Sequence, residues 1–453
     1  MACALWNLSK FELCLRYYLR RCLGIRALHE KLGLPILFKY NPRARSKFWK
    51  NRDYSDAIPA SPPAYIATGW HDIMLETSLQ DYEGIVEAHG PWHSRLVVGP
   101  WHHLESVTNF SAFRFLLRNS IDFLREKASL AAPQAARDQL PVRLWVMGAR
   151  AGEGNWSEFS AWPPEEVQAE VLFLRDGLLE SCPQGDKHPG ASSLRYDPRN
   201  PTPSVGGCGF NVLLSSTAGE KSQGSLEMRG DVLKFDSAPL LADMTVVGRV
   251  RLRLVVRSSR EHFDVFARLC DVHPSGHSYN VCDAACRKLG PLERAQSHQD
   301  VNVLSGRGWP AGQLRVDGRG AAEAGRSETV DLTFSATAKC FKAGHRVRLS
   351  VACAAFPQLA RHFGDAEQTV EDEPLEVATC TLQVLFGEQV PSSLWLPVLP
   401  TCGGASPRRR LTFQEAVADR TLADFSRSPS SRSPKVMEAS LRKIQSGSTV
   451  SFY

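Results

Sequence analysis

Two short segments of the chain carry an Asp and a His at a spacing suited to acid–base chemistry. Residues 68–73 have the sequence TGWHDI, which contains Asp72, and residues 95–103 have the sequence RLVVGPWHH, which ends at His103. A buried carboxylate that orients an imidazole lets the imidazole take a proton from a hydroxyl nucleophile. We therefore interpret Asp72 and His103 as a candidate acid–base pair.

The elements around these residues support that pairing. Short apolar runs at 64–68 and 95–98 predict strands, and the stretch 74–88 between them predicts a helix. Strand, helix and strand in this order predict neighbouring parallel strands, whose carboxyl ends gather catalytic groups at one edge. Asp72 and His103 each follow such an end. Taken alone, Asp72 could cap a helix and His103 could be an ordinary loop histidine, but the flanking Gly-Trp and Gly-Pro-Trp favour the catalytic interpretation.

The two segments together resemble the paired motifs of the cocaine-esterase and X-prolyl dipeptidyl-peptidase family of hydrolases (CocE/NonD). In that family the motifs run Gly-Trp-aromatic-Asp and Gly-Pro-Trp-Ser/Thr-His. The resemblance implies that Asp72 is the triad acid and His103 the triad base. The chain departs from the pattern at two positions, where His71 replaces the aromatic residue and His102 replaces the Ser or Thr.

The resemblance continues downstream in the order of the family's C-terminal jelly-roll domain and covers about residues 45 to 397. The matching segments are PVRLWVMG at 141–148, WPP at 162–164, YDP at 196–198, PSVGG at 203–207, DVFARL at 264–269, DVHPSG at 271–276, FKAGHRVRL at 341–349 and FP at 356–357.

The nucleophilic Ser of such a triad is expected upstream of Asp72, because α/β-hydrolases place Ser, then Asp or Glu, then His along the chain. No Gly-x-Ser-x-Gly occurs anywhere in this sequence. We expect the chain to be the C-terminal portion of a serine hydrolase that is inactive by itself. A small ester or X-prolyl peptide would be the substrate if the upstream part exists. The alternative is a non-catalytic binding or interaction protein derived from a hydrolase.

The predicted fold class is α/β plus all-β. We expect a helical cap remnant over 1–60, the C-terminal part of an α/β-hydrolase domain over 61–137, a jelly-roll β-sandwich over 138–397 and a disordered tail rich in Ser, Arg and Pro over 398–453. The β-rich assignment depends on many short alternating runs, among them 142–147, 246–256 and 347–351, separated by Gly and Pro turns.

Composition excludes several classes of function. The net charge of +6 is concentrated in the Arg-rich C-terminal end, so nucleic acid is not an expected partner. No run of about 18 apolar residues occurs, so no membrane span is expected. The 12 cysteines are scattered without a signal-peptide pattern, which favours reduced thiols and a cytoplasmic protein. The sequence leaves the oligomeric state open.

The resemblance implies no cofactor, and we assign no metal site. His273, His277, Cys282 and Cys286 have a spacing that a zinc site could use. They fall where the resemblance places a loop and strand of the jelly roll, and a structural role accounts for them. His345, in a turn before a predicted strand, is interpreted in the same way.

Overall fold

The computed structural model describes most of the chain between residues 55 and 400. The described ranges are 55–103, 105–128, 139–181, 190–208, 218–288, 314–317, 325–356, 358–359, 361–362, 378–387 and 392–400. Most of the predicted cap remnant (1–60) and of the predicted tail (398–453) therefore lies outside the described residues. Within the cap range, Ser55–Ala60 forms a 3-10 helix.

The first part of the structure alternates strands and helices as predicted. Strand β1 (Tyr65–His71) leads into helix α1 (Leu75–His89), which is followed by strand β2 (Arg95–His102). A short helix α2 (Glu105–Thr108) and a long helix α3 (Phe110–Lys127) come next. Helix α1 buries Leu75, Leu79, Tyr82 and Ile85, whose spacing of three or four residues places them on one face.

Strands β1 and β2 are parallel neighbours, with Tyr65 opposite Arg95 and Gly69 opposite Gly99. Strand β3 (Val142–Met147) pairs with β2 in parallel and with strand β4 (Gly154–Phe159) in antiparallel fashion. The sheet that begins with β1 therefore continues past residue 138, where the sequence suggested a domain boundary. Strand β3 belongs by its hydrogen bonds to the same sheet as β1 and β2.

The rest of the described chain consists almost entirely of strands. Besides the short helix α4 (Gly224–Glu227), the elements in chain order are β5 (Gln168–Arg175), β6 (Leu178–Glu180), β7 (Gly190–Tyr196), β8 (Leu233–Ser237), β9 (Met244–Gly248), β10 (Arg251–Ser258), β11 (Phe263–Val272), β12 (Ser278–Lys288), β13 (Leu314–Asp317), β14 (Ser327–Thr333), β15 (Thr337–Phe341), β16 (Arg346–Ala352), β17 (Cys380–Phe386) and β18 (Ser393–Leu399).

The alternating run at 246–256, which indicated strand structure, does not form one continuous strand. The chain forms two strands there, β9, which ends at Gly248, and β10, and they are separated by Arg249 and Val250. Gly248 has a φ of +129°, a backbone conformation that side chains on a β-carbon rarely adopt, so the continuous alternating pattern is interrupted at this residue. The apolar run predicted strand structure correctly and gave no sign of the turn.

Most pairings among the later strands are antiparallel. Strand β10 pairs with β14, β17 and β18, and strand β11 lies between β12 and β16. Every residue of β11 is buried, because both of its edges are paired and both faces are covered. Alternating inward residues of β10, which include Leu252, Leu254 and Val256, join the large apolar core of this part of the chain. None of the helices in the described part of the chain has the length and apolar character needed to cross a membrane.

Candidate active site

The close approach of β1 to β2 depends on two glycines and a tryptophan. A β-carbon at Gly69 would lie 1.9 Å from the carbonyl oxygen of Trp101, and a β-carbon at Gly99 would lie 2.3 Å from the Trp101 ring. Trp101 is buried against these two glycines and contacts the rings of Phe115 and Trp156. The Gly-Trp and Gly-Pro-Trp sequences therefore have a packing function: they bring the two strand ends, and the residues that follow them, close together.

Asp72 lies in the tight turn between β1 and helix α1 and is 7% exposed. Its backbone N–H donates to the carbonyl of Gly69 at 3.0 Å, which closes the turn. Its carboxylate oxygen Oδ1 accepts a hydrogen bond from the backbone N–H of Met74 at 2.8 Å. The N-cap of helix α1 is Met74, so Asp72 is not the capping residue considered from the sequence, and its hydrogen bond with the Met74 N–H fixes the direction of its carboxylate.

The same carboxylate oxygen contacts His103. Nδ1 of His103 lies 2.9 Å from Oδ1 of Asp72, within hydrogen-bonding distance. This hydrogen bond raises the pKa of His103, against the opposing effect of partial burial. The His103 side chain remains 39% exposed. The arrangement can hold the imidazole in one orientation and stabilise its protonated form while part of the ring faces solvent.

Neither His102 nor His71 takes the place of His103 beside Asp72. Nε2 of His102 lies 3.7 Å from a carboxylate oxygen of Glu105, so His103 is the histidine of the motif that pairs with Asp72. His71 is buried, and burial together with the charge of Lys339 lowers its pKa to about 4. His71 is therefore a neutral core residue at neutral pH, which suits a position where the family carries an aromatic ring.

The ion pairs that hold helix α1 in place were not predicted from the sequence. Arg249, in the turn between β9 and β10, lies 2.9 Å from Glu76 and 2.6 Å from Glu83, both on α1. Glu76 also accepts a hydrogen bond from the backbone N–H of Ala336, and Glu83 accepts one from the indole of Trp162. The strand-rich part of the chain thereby anchors the helix that starts just after Asp72. These partners are 79 to 260 positions apart in sequence, and no local pattern predicts them.

The set His273, His277, Cys282 and Cys286 is not assembled as a metal site. Cys282 and Cys286 are buried within strand β12, and the His277 ring hydrogen-bonds Ser275. In the part of the chain that the structure describes, one group of three metal-ligating side chains has its ligand atoms within 4.8 Å of one another, and it joins His273 to Asp271 and His345.

Comparison with known families matches this chain over most of its length. Residues 135–394 match the model of the X-Pro dipeptidyl-peptidase C-terminal non-catalytic domain. Residues 36–105, which include Asp72 and His103, match the model of the X-Pro dipeptidyl-peptidase (S15) family. The chain belongs to the X-Pro dipeptidyl-peptidase and CocE/NonD family of hydrolases.

A curated relative is the cocaine esterase of Rhodococcus sp. (strain MB1 Bresler). It is 25% identical over 357 residues, which represent 74% of this chain and 56% of the esterase. The chain thus spans little more than half the length of this relative.

Two solved structures have a similar fold. An aminopeptidase from a marine sediment Thaumarchaeota archaeon gives a TM-score of 0.66 at 17% identity, and the match covers 83% of this chain and 62% of the aminopeptidase. An α-amino acid ester hydrolase gives 0.65 at 20% identity, covering 82% of this chain and 61% of the hydrolase. These likenesses establish a mixed fold of the α/β-hydrolase type with a strand-rich region.

Proposed function

We propose that Asp72 and His103 are the acid and the base of a serine-hydrolase triad whose nucleophilic Ser is supplied by polypeptide upstream of this sequence. The substrate class is an acyl compound, either an ester or an X-prolyl amide. The strand-rich region after β4 is proposed to be the jelly roll of this family.

In the proposed reaction the Ser hydroxyl attacks the substrate carbonyl as its proton passes to Nε2 of His103. Asp72 keeps Nδ1–H of the ring oriented and stabilises the imidazolium that forms. Protonated His103 then gives the proton to the leaving alcohol or amine, and an acyl-enzyme remains. Water then attacks the carbonyl of the acyl-enzyme as its proton passes to His103. The bond from the acyl group to the Ser oxygen breaks, the carboxylic acid is released and His103 returns the proton to the Ser oxygen.

The observation that carries the proposal is the 2.9 Å contact between Nδ1 of His103 and Oδ1 of Asp72, at the adjacent ends of two parallel strands. The surroundings of both side chains suit an acid–base pair. The carboxylate is buried and fixed by the Met74 N–H, and the pKa of His103 is raised by the carboxylate. The imidazole keeps access to solvent, where a nucleophile and a substrate could reach it.

Labelling with a fluorophosphonate probe tests the proposal. The chain as given should not be labelled, since loss of a triad Ser costs on the order of a millionfold in rate. A polypeptide that includes the upstream coding sequence should contain a Gly-x-Ser-x-Gly and be labelled at its Ser. Upstream sequence without that motif would favour the non-catalytic binding protein, and labelling of the present chain at one of its own serines would contradict the proposal.

A further inference from the structure

Asp271, His273 and His345 lie together because of how two strands pair. Strands β11 and β16 are antiparallel, with Val272 opposite Arg346 at the end of their ladder. That register brings His273, just past β11, beside His345, just before β16. Asp271 and His273 are two positions apart and so point to the same face. The two imidazole rings have centroids 4.4 Å apart, and Nδ1 of His345 lies 2.8 Å from Oδ1 of Asp271.

This cluster contains a nitrogen that has no partner. Among the residues that the structure describes, Nε2 of His273 is screened from solvent and makes no hydrogen bond. A buried polar atom without a partner calls for an explanation, and an ion is one of the groups that can supply it. Imidazole nitrogens are common ligands of transition metals.

The charges around the cluster are compatible with a cation. Asp271 is fully buried, and its second oxygen, Oδ2, lies 3.5 Å from the ammonium group of Lys339. Lys339 also pairs with Glu220 at 3.2 Å. Glu220 compensates the lysine, so the carboxylate of Asp271 leaves one net negative charge beside the two imidazoles. Oδ1 of Asp271 contacts Nδ1 of His345, and Oδ2 makes no hydrogen bond among the described residues.

We propose that Asp271, His273 and His345 form a binding site for a divalent transition-metal ion of the Zn²⁺ type. Two imidazole nitrogens and one carboxylate oxygen are ligands that Zn²⁺ uses, with the fourth position left for water. A metal ion bound through Nδ1 of His345 requires the tautomer of the neutral ring that carries its proton on Nε2. The ligand atoms now lie within 4.8 Å of one another, and the closest pair, on His345 and Asp271, is 2.8 Å apart. In a tetrahedral site they would be roughly 3.4 Å apart, so small shifts are required. His273, in a turn, is the residue that can move.

The site would have a structural effect that the proposed hydrolase reaction does not need. It joins the end of β11 to the start of β16. A bound ion would therefore fasten these two strand ends to each other. The proposal stands or falls independently of whether Asp72 and His103 catalyse a reaction.

The test is metal binding by the full chain after chelator treatment. Zn²⁺ is titrated in competition with a chromophoric chelator, and Co²⁺ is added separately so that its visible spectrum reports coordination. We expect one equivalent of tight Zn²⁺, a Co²⁺ spectrum of tetrahedral type without thiolate bands, and a rise in Tm on Zn²⁺ addition. His273→Ala should weaken binding by at least about tenfold. His277→Ala, in the same turn with its ring on Ser275, should bind as the unmodified chain does.

Because His273 is only partly buried and lies in a turn, its replacement should leave the fold intact, and unfolding curves without metal check this directly. Asp271→Asn and His345→Gln serve as second variants. The proposal is contradicted if the chain binds no stoichiometric Zn²⁺. It is contradicted equally if His273→Ala binds Zn²⁺ as tightly as His277→Ala, or if Co²⁺ shows thiolate bands, which would assign the metal to cysteines.

Discussion

Nε of Arg249 lies 2.9 Å from Oε2 of Glu76, although 173 positions separate the two residues. Glu76 lies in the first turn of helix α1, which starts three residues after Asp72, and Arg249 lies in the turn between β9 and β10. The strand-rich part of the chain thereby holds the helix whose N-terminus positions the Asp72 carboxylate. Glu76 is almost fully buried, so its ionised form depends on this arginine.

Arg249→Leu should destabilise the fold by about 3 kcal/mol or more, because it leaves the buried Glu76 carboxylate without its ion-pair partner. Urea unfolding followed by circular dichroism measures the change. The matched control is Arg253→Leu, which removes an equally close pair with Asp331 whose two side chains are each 51% exposed. That change should cost no more than about 1 kcal/mol. Equal losses for the two variants would show that the Glu76 contact contributes no more than a surface pair.

The pKa of His103 should lie above the usual value for histidine, and Asp72→Asn should lower it, because the hydrogen bond to Asp72 favours the charged ring. Histidine resonances titrated by NMR, with His103 assigned by its loss in His103→Gln, measure both values. Because the pKa of His103 is higher in the folded chain than in the unfolded chain, protonation of this ring stabilises the fold. The stabilisation is complete at pH values below the ordinary histidine pKa and is lost as the pH rises through the raised pKa. An unshifted titration in Asp72→Asn would contradict the pairing.

His71→Phe should make the fold less sensitive to acid. The pKa of His71 is lowered from 6.5 to about 4 in the folded chain. Between these pH values His71 is protonated in the unfolded chain and neutral in the folded chain. The neutral ring therefore supports stability above pH 6.5, and up to on the order of 3 kcal/mol is lost as the pH falls from 6.5 towards 4. Stability curves at pH 7 and pH 4.5 should differ less for His71→Phe than for the unmodified chain.

Some acid sensitivity should persist in His71→Phe, since burial also lowers the pKa of His362 to about 4. His277→Phe provides the comparison, because its ring is exposed and hydrogen-bonded to Ser275. If His71→Phe and His277→Phe showed the same pH dependence as the unmodified chain, His71 would not be the neutral core residue that the structure describes.

The sequence predicted those features that local pattern determines. Apolar runs ending in Gly placed β1 and β2 correctly, and the motif spacing identified Asp72 and His103, which the structure brings into contact. The pair of Arg249 with Glu76 and the cluster of His273 with His345 were not predicted. Both depend on strand register and on contacts between distant segments, and a lone Arg or His carries no local sign of the partner that the fold gives it. The break at Gly248 was missed because the alternating pattern runs through it.

The central claim, that Asp72 and His103 are the acid and base of a serine hydrolase, is tested most directly by ester hydrolysis in a fusion protein. The part of the Rhodococcus cocaine esterase upstream of the matched region is joined to this chain to supply a nucleophile. We expect kcat/KM to fall roughly ten-thousandfold or more in His103→Ala and in Asp72→Asn. His102→Ser, which introduces a residue that the family carries there, should retain activity. Activity that survives His103→Ala at the level of His102→Ser would contradict the account.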